Sequence, residues 1–122
     1  MIKNSITRKI IKESGFDFYF PDLSFNKIMK YKDYIIKKSS LSEGEFYRLM
    51  ATMLQYIKLI PSSAIITNWT KAKEIMEKVD EEDVAFIAAA LAIKDSIIWS
   101  DDKHFEKQSA IKIIKTKELI NY

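Results

Sequence analysis

The chain has no cysteine, two glycines, two prolines and a single histidine among its 122 residues. Without cysteine no disulfide framework or thiolate metal site can form, and an intracellular, cytoplasmic setting is the simplest reading. So few glycines and prolines exclude collagen-like repeats, long flexible linkers and low-complexity disorder. No Gly-rich phosphate loop, Ser-His-Asp arrangement or zinc-spacing motif is present. No apolar run approaches the ~18 residues that span a bilayer. The opening MIKNSITRKIIKES lacks the apolar core of a signal peptide, so no membrane role is expected.

What is present fits one ordinary folded domain, residues 1–122. Hydrophobic residues make up 48% and charged residues 30%, enough to bury one core and solvate its surface. The formal net charge of +3 is compatible with a polyanionic partner but does not require one.

Apolar spacing predicts a helix over residues 2–14, stopped by Gly15, then an aromatic strand Phe16–Phe20 ended by Pro21. One long helix is expected over 22–38. Ser42-Glu43-Gly44-Glu45 has the form of a capping box and should open a helix through Tyr56. Residues 57–60 read as a strand, 62–68 as a connection and 69–78 as a helix. Residues 84–93 (VAFIAAALAI) read as a buried helix and 96–99 (SIIW) as a buried strand. A short helix to Gln108, a strand over 111–114 and a last turn at 117–120 complete the chain. Strands separated by helices imply an α/β fold, a three-layer α/β/α sandwich around a short parallel sheet.

Two acidic clusters flank the buried helix and strand: Asp80-Glu81-Glu82-Asp83 before them and Asp101-Asp102 after them. Each has a structural explanation, because helix N-termini leave amides unbonded and favour Asp. A second reading comes from convergence. If the helix is a right-handed crossover, both clusters reach the sheet edge where open α/β sheets bind ligands. Carboxylates gathered there repel unless a cation neutralises them, and an all-oxygen set suits Mg²⁺ or Mn²⁺. Such an ion can polarise a phosphodiester and activate water. His104 is a candidate proton shuttle or phosphate contact, Lys103 and Lys107 are candidate phosphate contacts, and capping or solvation remains open for each.

Residues 80–119, DEEDVAFIAAALAIKDSIIWSDDKHFEKQSAIKIIKTKEL, resemble the PIN-domain pattern. That pattern is D-x-x-D, an apolar helix, a short strand, [ST]-x-D-x-x-F and a closing I-x-V-x-[TS]-x-x-E/D-L. The segment FDFYFPDLSFNKIMKYKDYIIKKSSLSEGEFYRLMATMLQYIKLIP resembles the family's second strand, helical hairpin and third strand. PIN domains are metal-dependent ribonucleases that include many prokaryotic toxin nucleases.

The resemblance implies Asp83 and Asp102 as metal ligands, with Asp80 and Asp101 as adjacent metal or water-orienting candidates. Ser100 matches the small hydroxyl residue before the last acid. His104 stands where the family often has Asp, and with Ser100 and Lys103 it is a candidate for substrate binding. The implied cofactor is Mg²⁺ or Mn²⁺. The implied partners are RNA, an antitoxin-like or other protein, and a second copy of the chain in a homo-oligomer.

Two departures follow from the same resemblance. Met1-Ile2-Lys3-Asn4-Ser5 resembles the helix after the family's first strand, so that strand and its D-x-N acid are expected to be missing. Asn26 and Lys27 stand where the family carries a Glu. Impaired catalysis, or a non-catalytic oligomerisation or protein-binding role, is the resulting alternative. The two strands left as inner neighbours are expected to pair directly, or else to leave an edge that a second chain covers.

Overall fold

In the computed structural model, which describes residues 5–76 and 81–120, the capping box at Ser42 forms as its sequence implies. Ser42 Oγ accepts a hydrogen bond from the Glu45 amide at 3.1 Å, and Glu45 Oε1 accepts one from the Ser42 amide at 3.0 Å. Two orphan amides are satisfied together, and the helix runs over Glu43–Tyr56 (α4). Its buried residues Phe46, Met50 and Met53 recur at helical spacing and pack with Phe25.

The chain divides into two units, Met1–Leu59 and Ile60–Tyr122. The first begins its described part with helix α1 (Ser5–Glu13), after which Gly15 adopts φ +80, a region costly for other residues. Strand β1 (Phe18–Pro21), helices α2 (Asp22–Lys30) and α3 (Lys32–Ser39), α4 and strand β2 (Ile57–Ile60) follow. The long helix expected over 22–38 is two helices. Tyr31, at φ −99 and ψ 25, leaves the helical basin. The break lets Ile28 and Met29 of α2 and Ile35 and Ile36 of α3 all pack against the Phe46 cluster.

The second unit holds α5 (Ser62–Thr67), α6 (Trp69–Met76), α7 (Glu81–Leu91), β3 (Ile98–Trp99), a 3₁₀ helix (Lys103–Lys107), β4 (Ile113–Ile114) and α8 (Thr116–Leu119). Where a connection was expected over 62–68, α5 buries Ile65 completely. Helix α7 is apolar around most of its circumference, as a buried helix must be. Val84, Ala85, Ile87, Ala88, Ala89 and Ala90 are all buried, and its small alanines let α5 and α6 approach closely.

Among the described residues the four strands form two two-stranded sheets, β1 with β2 and β3 with β4. Strands β3 and β4 are parallel, with Ile98 opposite Ile113 and Trp99 opposite Ile114. Direct pairing of the two inner strands, β1 and β3, is therefore not found among the described residues. The strands hold four residues in β1 and β2 and two in β3 and β4. The fold is α/β with most of its residues in helices. Among the described residues no helix is long and apolar enough to cross a membrane.

Candidate metal centre

Helix α7 carries the chain about 16 Å in its 11 residues. A turn at Asp95, in the left-handed region at φ 58, then reverses direction. Ser96 Oγ donates to Ala90 O at 2.7 Å and closes the turn. Strand β3 runs back, so the residues after its end reach the first turn of α7.

Asp83 lies in that first turn and is 8% exposed, the one buried charged side chain among the described residues. Asp102 lies beyond β3 and caps the 3₁₀ helix. Its Oδ1 accepts from the His104 amide at 2.9 Å, while its own amide donates to Ser100 Oγ at 3.0 Å. The carboxylate of Asp102 is thus held by the His104 amide, and its backbone by Ser100. His104 Nδ1 stands 3.2 Å from Asp83 Oδ2 and 3.5 Å from Asp102 Oδ1. One ring nitrogen joins two carboxylates that are far apart in sequence.

Phe105 anchors this meeting. It is 4% exposed and packs edge-on against Phe86 of α7 at a centroid distance of 6.2 Å. The apolar contact pins the 3₁₀ helix to α7 with His104 directly beside the pin. Farther along, Gln108 Nε2 donates to Phe105 O and Ile111 O, and its Oε1 accepts from the Ile111 amide. Lys115 Nζ reaches Glu106 Oε1 at 2.6 Å and holds the Glu106 carboxyl below its usual range.

One ligand atom each from Asp83, Asp102 and His104 lies within 4.8 Å of the others. Two atoms bound about 2.1 Å from one ion stand about 3.0 Å apart at a right angle and about 3.4 Å apart at the tetrahedral angle. The 3.2 Å spacing from His104 Nδ1 falls in that range and the 3.5 Å spacing lies just above it. The donor set fits a divalent cation, and the exposed side chains of Asp102 and His104 leave the group open to solvent on one side.

The PIN-domain family model matches residues 1–121. The chain belongs to the PIN-domain family. PIN domains are in general nucleases and use divalent metal ions, which agrees with the donor group found here. Comparison with curated proteins and with solved structures gave no match.

Of the residues singled out from the sequence, the structure gathers Asp83, Asp102 and His104, with Ser100 supporting Asp102. Asp101 engages a different neighbour in this PIN domain. Its Oδ1 accepts from the Thr116 amide at 2.9 Å and its Oδ2 from Thr116 Oγ1 at 2.8 Å. Thr116 Oγ1 accepts in turn from Trp99 Nε1 at 2.9 Å. These bonds to Thr116, aided by nearby Lys115, hold the Asp101 carboxyl below its usual range. Lys103 is exposed at the start of the 3₁₀ helix. Asp80 lies outside the described residues.

Sequence reasoning missed two things: that His104 joins the carboxylates, and that Asp101 serves α8. The signal for the first is Asp102 as a cap, which fixes His104 two residues on. The second needed the β3–β4 pairing, which brings Thr116 beside Asp101.

Proposed function

We propose that this PIN domain hydrolyses RNA phosphodiesters with the help of Mg²⁺ or Mn²⁺. The observation that carries the reading is the approach of the Asp83 and Asp102 carboxylates to one point at His104 Nδ1. A bound divalent ion there would polarise a phosphate oxygen and lower the pKa of a water. Asp83 supplies a fixed ligand, because its helix is buried on nearly every side. Asp102 supplies a second from an open turn that a substrate can reach. Ser100 orients that turn through the Asp102 amide. Lys103, exposed next to Asp102, would meet a backbone phosphate, a contact weakened by salt.

The test is Mn²⁺-dependent cleavage of a single-stranded RNA, read beside the Mn²⁺-dependent rise in melting temperature. Asp83→Asn and Asp102→Asn should abolish both, since a ligand that binds only the folded chain at 100 times its Kd stabilises it by about 2.7 kcal/mol. Equal rises in the parent and both variants would remove these carboxylates from the metal site.

A second reading is a non-catalytic module that binds itself or an antitoxin-like protein. It is favoured by the exposed Asn26 and Lys27 on α2, where the family resemblance called for a Glu. Sedimentation that shows self-association, in a protein that binds Mn²⁺ but leaves RNA intact, would select it.

A further inference from the structure

We propose that His104 is a third protein ligand to the ion, so that the site prefers transition metals, represented by Mn²⁺, over Mg²⁺. This rests on the metal-site reading above and narrows it. Mg²⁺ prefers an octahedron of oxygens and gives up its waters reluctantly, whereas imidazole nitrogen suits first-row transition metals. A site made of Asp83 and Asp102 alone has no such bias.

Three features of the geometry make the imidazole part of the donor set. Nδ1 is the ring atom turned to both carboxylates, and its 3.2 Å and 3.5 Å spacings are close to those of neighbouring ligands on one ion. The backbone at His104 is fixed independently of the ring, by the hydrogen bond its amide donates to Asp102 Oδ1 and by the buried Phe105 that follows. The ring itself is 55% exposed, so it can adjust to an ion without repacking the core. The hydrogen bond to Asp83 is then exchanged for coordination, with Nδ1 presenting its lone pair and the proton on Nε2. The contrary role is a counter-ion: His104 would sit between the carboxylates only in the metal-free state and leave when an ion enters.

Calorimetric titration with Mn²⁺ and with Mg²⁺ separates these roles, using the parent chain, His104→Ala, His104→Asp and Asp83→Asn. All the His104 variants should fold, because that side chain is largely in solvent. The parent should bind Mn²⁺ more tightly than Mg²⁺. His104→Asp, an all-oxygen set, should bind Mg²⁺ at least as well as the parent. Its preference for Mn²⁺ should shrink by at least about tenfold, the usual scale for disturbing a ligand shell. The Mn²⁺-loaded parent should also show spin-echo modulation from an imidazole nitrogen, absent in both His104 variants.

A counter-ion role predicts instead that His104→Ala tightens both ions alike, with no nitrogen modulation in the parent. That result overturns the inference, and loss of binding in Asp83→Asn would show that the two-carboxylate site survives it. Failure of the parent to bind either ion would overturn this inference and the metal site together.

Discussion

Asp101 offers the sharpest test of how the two acidic neighbours divide their roles. Replacing it with Ala removes a carboxylate that accepts from both the amide and the hydroxyl of Thr116. Loss of a helix-capping acceptor costs about 1 kcal/mol, and hydrogen bonds to a charged group carry about 1.5–3 kcal/mol each when water is excluded. Asp101 is exposed, so water and salt recover part of that and about 1–2 kcal/mol is expected. In a chain of this size that lowers the melting temperature by about 4–8 °C.

The pH dependence has a definite sign. The folded carboxyl is held below its usual range by Thr116, so the unfolded chain binds the proton more readily. The contribution is therefore complete above the unfolded Asp value of about 3.9 and is lost as pH falls through the lower folded value. Urea unfolding of the parent and Asp101→Ala should differ at pH 7 and converge below that window. Asp101→Asn should leave Mn²⁺ affinity unchanged within about threefold, because Asp101 is not among the three gathered ligands. Full stability at pH 7 combined with lost Mn²⁺ binding would refute the division of roles argued here.

Further expectations concern the packing of α7 and the cap of α4. Ile87→Ala, at a fully buried position of α7, should cost about 2–5 kcal/mol in urea unfolding. A cost under about 1 kcal/mol would mean that α7 is not packed as described. Ser42→Ala should lose about 1 kcal/mol through the capping box, and Ser42→Asp should restore most of it. No change in helix content or stability on Ser42→Ala would remove the cap from the account of α4.

Where the sequence was legible, one local rule dominated. The capping box at Ser42 needs only four residues to declare itself, and the buried α7 needs only a run of Ala, Ile and Val. The site was legible in two steps: a helix, a turn and a returning strand bring the two acidic clusters together, while the choice of Asp83 and Asp102 within them came from the resemblance to PIN domains. Tyr31 shows where local rules fail, since nothing in its neighbours announces a break. The break answers to packing around Phe46, which is distant in sequence. Strand pairing failed similarly, because which neighbour a two-residue ladder takes is decided by tertiary contacts rather than by the strand itself.

The same contrast explains why neighbouring aspartates came apart in the structure. Asp101 and Asp102 are indistinguishable as a pair of acids after a strand, yet successive residues of extended chain point to opposite sides. One side of this turn meets the first turn of α7, through His104 and the Phe86–Phe105 contact. The other meets α8, brought there by the parallel pairing of β3 with β4. Asp102 takes its orientation from Ser100 and from the His104 amide, whereas Asp101 takes its orientation from Thr116. The turn is held from α8 by the bonds of Asp101 and Trp99 to Thr116, none of which is made by Asp83, Asp102 or His104. Weakening that network should therefore cost stability before it costs metal affinity, whereas changes at Asp83 should cost metal affinity directly.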